Sequence, residues 1–300
     1  VSMVTDGLDF PAALGAVAAA VEAEMTALLG DDSEAPSRVT EAMRYAVLAG
    51  GKRLRPFLVV TVADLFEVPR PRALRVAAAL EFVHTYSLVH DDLPCMDDDD
   101  LRRGQPTVHR QFDEATAVLA GDGLLTRAFD ILADPATHPD GAVRADLVRR
   151  LALAAGPRGM VGGQALDLAA AEARLDIAAI NRLQSLKTGA LIRFACEAGA
   201  VLAGVNDQLE RLGSYAEALG LAFQIADDLL DTEGDAAELG KAVGKDAALG
   251  KATYVALLGP DEARRRARAL AERAASEVDH WGPRAALLKE VAEFAVRRRV

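Results

Sequence analysis

FQIADDLLD, residues 223–231, decides the fold class of this 300-residue chain. Gln224, Asp227, Asp228 and Asp231 fall at i, i+3, i+4 and i+7 and share one face of a helix, while Leu221, Ile225 and Leu229 supply core on the others. A second stretch, HDDLPCMDDDDLRRG at residues 90–104, sets Asp91 and Asp92 at the end of an apolar helical run and follows them with Asp97, Asp98, Asp99 and Asp100. On that run His84, Ser87 and Asp91 share a stripe at i, i+3 and i+7. Crowded carboxylates repel one another and lose hydration when partly buried, so a cation is the expected remedy. Magnesium suits an all-oxygen site that keeps room for waters and phosphate oxygens, which points to chemistry on a diphosphate. Taken alone, residues 97–100 also read as a solvated acidic turn. They are not an EF-hand, because the alternating spacing, the turn glycine and the closing glutamate are missing.

The formal net charge is −11, and nine of the 45 acidic residues lie in the two clusters. Without them the charge would be about −2, so the acidity is local. A pI near 5.0 argues against a nucleic-acid partner. Basic residues gather in GGKRLRP (residues 50–56), in LRRG (residues 101–104) and at the C-terminal Arg297, Arg298 and Arg299, and read as small anion sites. Two cysteines, Cys95 and Cys196, form neither a disulfide framework nor a zinc site, which fits a reducing cytoplasm. The start, VSMVTDGLDF, has no basic stretch leading into an apolar one, so a secretory leader is not expected, and Val1-Ser2 read as an addition before Met3. Apolar stretches such as residues 190–204 carry Arg193 and Glu197, so no membrane span is expected.

Ala, Leu, Arg and Glu recur throughout, aromatics are 5%, and alternating β-branched runs are almost absent, which predicts an all-α protein. The expected helices cover residues 10–29, 38–49, 56–65, 71–92, 115–132, 142–155, 176–202, 207–231, 252–258, 261–278 and 284–298. No stretch is polar or long enough to serve as a domain linker, so a single domain is expected. If the two aspartate-bearing helices face each other across a cavity, both rows can address one substrate.

Gly50-Gly51 free the backbone to approach an anion, and Lys52 and Arg55, three apart, point the same way; the same residues also suit a helix C-cap with basic side chains on the dipole. Arg102-Arg103 read either as anion ligands or as surface counter-charge. His84 reads either as a ligand or as a satisfied core histidine. Lys187-Thr188-Gly189 interrupts a helix, and Lys241, Lys245 and Lys251 stud a glycine-rich segment. GKDAALGKAT (residues 244–253) is not a Walker loop: its glycines are one residue too far apart, Ala252 follows the lysine, and no strand precedes it.

Together GGKRLRP, HTYSLVHDDLPCMDDDDLRRGQPT, GGQALDL, LKTGAL, FQIADDLLD and LGKAVGKDAALGKATY resemble the ordered motif set of the trans-isoprenyl diphosphate synthases, over about residues 38–258. The resemblance implies one all-α domain, a bundle of long helices around a deep central cavity, usually a homodimer and cytoplasmic, acting on isoprenyl diphosphates. It implies Asp91, Asp97 and Asp227 as the main magnesium ligands, with Asp92, Asp228 and Asp231 ligating or supporting through water, and three magnesium ions per loaded site. Lys52, Arg55, His84 and Arg103 would hold the isopentenyl diphosphate. Arg102, Lys187 and Lys241, with Lys251 nearby, would hold the allylic diphosphate. Gln164, Asp167, Thr188 and Gln224 would line or support the reacting centre, with Lys187, Thr188, Gln224 and Lys241 closest to the chemistry. Tyr86 lies five residues before Asp91, about 7.5 Å along the helix, and its ring, beside Ser87, would floor the cavity. That aromatic, together with the Pro94-Cys95 insertion, resembles the bacterial farnesyl type, with the geranylgeranyl type as the alternative. A class I terpene cyclase is disfavoured, because the second motif keeps aspartates and GGKRLRP supplies a second-substrate site. A non-catalytic partner subunit, which tends to lose acidic or basic ligands, is disfavoured as well.

Overall fold

The computed structural model describes residues 9–30, 37–170, 175–233 and 253–297, and among these the secondary structure is helical apart from one hairpin of two two-residue strands. The chain forms two compact units, one comprising the residues up to Val148 with Leu202–Gly204, the other Arg149–Val201 with the residues from Val205 onward.

In the first unit, α1 (Phe10–Leu29) begins where the Asp9 carboxylate accepts from the Ala12 amide at 3.0 Å and where Pro11 fits the first turn. Its buried row Ala13, Val17, Val21, Met25 and Leu29 repeats every four residues, and the helix packs on α3 (Leu54–Leu65) and α4 (Arg70–Asp91). With a mean hydropathy of 1.6 over its best window, α1 is long and apolar enough by composition to cross a membrane, yet this row is spent on packing. Helix α2 is Ser37–Leu48. Every residue of α3 from Pro56 to Leu65 is buried. Helix α4 buries Ala73, Val76, Leu80, Phe82 and Val83 on several faces, because α1, α2, α3 and α6 (Glu114–Ala133) all pack on it. The hairpin β1 (Leu101–Arg102) and β2 (Gln105–Pro106) and the short α5 (Val108–Gln111) lie between α4 and α6. Asp113 caps α6 by accepting from the Thr116 amide at 2.7 Å, and the Arg38 guanidinium beside it, together with that cap, holds its carboxyl down to about 2. Helix α7 is Gly141–Ala155.

In the second unit, α8 (Met160–Ala170) and α9 (Ile177–Gln184) lead into a wide π turn, Ser185–Gly189, and on into α10 (Ala190–Ala203). The long α11 (Leu209–Glu233) packs on the π turn, on α12 (Tyr254–Leu258), on α13 (Pro260–Glu277) and on α14 (Ala286–Arg297). Ile180, Ile225, Tyr254, Val255, Ala263 and Ala267 form one buried cluster of this unit. The buried Tyr215 hydroxyl donates to the Leu288 carbonyl at 2.8 Å. The expected helix over residues 176–202 is therefore interrupted, as Lys187-Thr188-Gly189 suggested, while α8, α5 and the hairpin are elements that residue periodicity did not foretell.

Arg53 ties the first unit together. It stands just before α3 with a left-handed backbone (φ 49°) and is 3% exposed. Its guanidinium donates to Glu81 at 2.7 Å, to Glu22 at 3.2 Å and to the Val47 carbonyl at 2.5 Å, so α1, α2 and α4 meet on one side chain. Removing one partner of a buried pair strands the other charge, which costs about 3–5 kcal/mol. Arg53→Ala is thus expected to lower the urea unfolding free energy by about that amount, and a loss under about 1 kcal/mol would show the pair to be solvated.

Candidate diphosphate and metal site

The basic side of the site is built by backbone conformations that few residues adopt. Gly50 and Gly51 have φ of 82° and 127°, and Arg103 and Gly104 of 54° and 76°. The Arg103 guanidinium donates to the Gly50 carbonyl, and a Cβ on Gly51 would fall 2.6 Å from Arg103 Nη1, so only glycine leaves Arg103 this place. Arg55 Nη1 lies 3.3 Å from His84 Nε2. Burial first, then the charges of Arg55, Arg103, Arg102 and Arg53, push the His84 pKa well below its ordinary value, so the ring is neutral near pH 7 and accepts from Arg55. Burial also lowers Arg103, partly offset by Glu81. Arg55, His84, Arg103 and the glycine pair thus belong to one cationic patch, and Lys52 stands exposed beside it. Such a patch attracts anions.

On the acidic side, Asp91 ends α4 and the chain wraps its terminus. The Asp97 amide donates to the Asp91 carbonyl at 2.8 Å, and the Asp99 amide to the Asp92 carbonyl at 3.2 Å. Asp92 is buried and takes the Arg102 Nε at 2.7 and 2.9 Å and Nη2 at 2.5 Å. Burial raises its pKa against the pull of Arg102. Burial alone would lower Arg102, but the hydrogen bond and charge of Asp92, helped by Asp99 and Asp91, outweigh it and raise its pKa. Asp92 and Arg102 therefore meet as an ion pair, while Asp91 is half-buried and Asp97 exposed. Tyr86 is buried edge-on to His90, with ring centroids 5.7 Å apart, and its hydroxyl is made less acidic by burial and by Asp91. Ser87 Oγ donates to the His84 carbonyl at 2.8 Å, so its hydroxyl serves its own helix.

In the second unit, Lys187 Nζ lies 2.6 Å from Asp167 Oδ2, which joins the π turn to α8. A Cβ on Gly163 would fall 2.1 Å from the Lys187 amide nitrogen, so α8 is pressed against the turn. Thr188 is half-buried there, and both amide atoms of the Gln164 side chain are buried without a hydrogen-bond partner among the described residues. On α11, Gln224, Asp227 and Asp231 are half-buried, whereas Asp228 is buried and accepts from the Tyr254 amide at 2.7 Å. Lys241 and Lys251 lie outside the described residues.

Among the described residues no three His, Cys, Asp or Glu side chains converge into a ready-made metal cage. The donors are all carboxylates, and magnesium in phosphate sites takes only one or two of these from the protein and the rest from substrate and water, so the set fits that ion. Residue patterning missed Arg53, whose neighbours in KRLR were expected to bind, and it missed the fit of Gly51 beneath Arg103; the double glycine was the signal for the second.

His84 carries a pH signature. The unfolded chain protonates it below about 6.5 while the folded chain does not, so folding stability is retained at neutral pH and lost as pH falls below that value. Urea melts from pH 7.5 to 5.5 are expected to fall less steeply for His84→Asn than for the parent; equal slopes would mean that the ring protonates freely in the folded protein.

The polyprenyl synthetase family model matches residues 36–283. The Escherichia coli farnesyl diphosphate synthase is 45% identical over 298 residues, covering 97% of this chain and 99% of that protein. Geranylgeranyl pyrophosphate synthase 11 of Arabidopsis thaliana is 42% identical over 269 residues, covering 86% and 75%. A crystal structure of an FPP/GFPP synthase from Zymomonas mobilis superposes with a TM-score of 0.88 at 47% identity, covering 96% of this chain and 99% of that one. With its ordered basic, aspartate-rich and lysine motifs on an all-helical scaffold, this chain belongs to the polyprenyl synthetase family.

Proposed function

We propose that the chain condenses isopentenyl diphosphate with dimethylallyl and geranyl diphosphates, head to tail, to make farnesyl diphosphate. The observation that carries this reading is the patch of Arg55, neutral His84 and Arg103 over Gly50-Gly51, in the same unit as the carboxylates of Asp91 and Asp97. A cationic patch binds one diphosphate directly, whereas a carboxylate row needs a cation to bind another, so the two features ask for two diphosphate substrates.

In this reading Lys52, Arg55, His84 and Arg103 hold the isopentenyl diphosphate. Asp91, Asp97 and Asp227 are the main magnesium ligands, with Asp92, Asp228 and Asp231 supporting, and three ions serve the loaded site. Magnesium, when bound, stabilises the negative charge that develops on the departing diphosphate. Lys187, held by Asp167, and Arg102, held by Asp92, with Lys241 and Lys251, add positive charge to the same group. Thr188 and Gln224 supply oxygens that steady the allylic cation, with Gln164 and Asp167 supporting the centre, and the aliphatic interior shields the cation from water until the isopentenyl double bond attacks. The released diphosphate takes the final proton. Tyr86 floors the chain-binding space, which favours C15 over C20. The enzyme works as a single catalytic domain in a cytoplasmic homodimer, with no nucleic-acid partner.

Purified protein with magnesium and labelled isopentenyl diphosphate is expected to give C15 product from dimethylallyl or geranyl primers, and Tyr86→Ala to give longer chains. No condensation at all would revive the partner-subunit reading; a C20 product from the parent would replace the farnesyl assignment by the geranylgeranyl one. Asp227→Ala is expected to lose at least 100-fold in kcat with an unchanged circular dichroism spectrum, since removing one of several repelling carboxylates does not unfold a helix. Global unfolding of that variant would assign Asp227 to structure instead.

A further inference from the structure

His90 sits on the last turn of α4, one residue before Asp91, and its half-buried ring reaches across to α6. Its Nε2 donates to the Val118 carbonyl at 3.0 Å. Against the ring lies Gly121, where a Cβ would fall 2.1 Å from Nε2, 2.5 Å from Cδ2 and 2.9 Å from Cε1, so any larger residue there would displace it. Glycine weakens a helix interior, and this one is buried well inside α6, so the close approach of the imidazole accounts for its place. From α4 itself, one turn earlier, the Tyr86 ring meets the imidazole edge-on. Carbonyl, glycine and tyrosine together hold the ring.

The main chain at His90 is where the acidic row begins. The His90 carbonyl accepts from the Leu93 amide at 3.2 Å, and the Asp91 carbonyl from the Asp97 amide at 2.8 Å. Val89 and Leu93 bury this turn, but apolar contact is non-directional and leaves its roll about the helix axis loosely set. A hydrogen bond from a planar ring to a carbonyl on another helix is directional and sets that roll. Magnesium demands near-ideal octahedral geometry, so the direction of a ligating carboxylate matters to it. We propose that His90 is a positioning residue for magnesium: held by Val118 and Gly121 of α6, it fixes the last turn of α4 and so aims the Asp91 carboxylate. This role rests on the reading of Asp91 as a magnesium ligand, and His90 itself touches neither ion nor substrate.

Binding of manganese diphosphate to the full chain, followed by the rise in water-proton relaxation that this paramagnetic stand-in for magnesium gives on a macromolecule, tests it. Asp91→Ala is the reference, and only the part of the signal that it removes is read, which leaves out diphosphate held by the cationic patch. For that part His90→Leu is expected to bind about tenfold more weakly, the smaller of the effects that residues behind a metal ligand exert. His90→Gln, whose side-chain amide can donate to the Val118 carbonyl as Nε2 does, is expected to bind like the parent. Gly121→Ala, which displaces the ring from the other helix, is expected to weaken binding as His90→Leu does. A merely structural histidine would lower the melting temperature and leave the metal affinity alone, so a thermal melt accompanies each titration. Should His90→Leu fold poorly, His90→Asn, polar but too short to reach α6, carries the same expectation. Parent-like affinity in His90→Leu, with the signal lost in Asp91→Ala, would overturn the role of His90 and leave the magnesium reading standing, as would His90→Gln binding no better than His90→Leu. A signal in Asp91→Ala equal to that of the parent would overturn both.

Discussion

Like charges held close together are the constraint on which the first unit depends. At the end of α4 an aspartate-rich turn meets an arginine-rich patch, and each group survives there because the fold answers it in a different way. Asp92 is neutralised by Arg102 in three short contacts. His84 avoids repulsion by staying uncharged. Arg53 is drawn inside and compensated by Glu81 and Glu22. Arg55 and Arg103 stand with the neutral ring of His84 in the same patch, and Asp91 and Asp97 flank the pair of the buried Asp92 with Arg102.

The second unit organises its polar groups by backbone shape. A π turn widens the helix where Lys187 and Thr188 stand, a place where such turns frequently mark function. Lys187 is steadied by Asp167 from the neighbouring helix. On α11 the adjacent aspartates have diverged in environment: Asp227 is half-buried, whereas Asp228 is buried and accepts from the Tyr254 amide at the start of α12. Equal residues in a motif thus meet unequal surroundings, and one of them holds a tether.

Much of the fold was legible from residue spacing. The buried every-fourth-residue row of α1 and the i, i+3, i+4, i+7 aspartates of α11 are patterns that only a helix satisfies. Less legible were elements set by tertiary contact. The hairpin at residues 101–106 is too short to show alternation, and α8 carries a Gly-Gly pair in its first turn that by propensity argues against a helix. At the site, residue types announced the chemistry but not the direction of each side chain. KRLR contains three cations; the left-handed backbone at Arg53 turns that one into the core, which spacing on an ideal helix could not foresee. Ser87 shared a stripe with Asp91 yet spends its hydroxyl on the helix backbone.

The intimacy of Gly163 with the π turn has a mechanical consequence. With the Lys187 amide nitrogen only 2.1 Å from where a Cβ would stand, α8 and the turn have no slack between them and behave as a clamped joint. The main chain of the lysine is thereby fixed by α8 at one end while Asp167, from the same helix, holds its ammonium at the other. A hydrogen atom at position 163 is what keeps that joint from being wedged open.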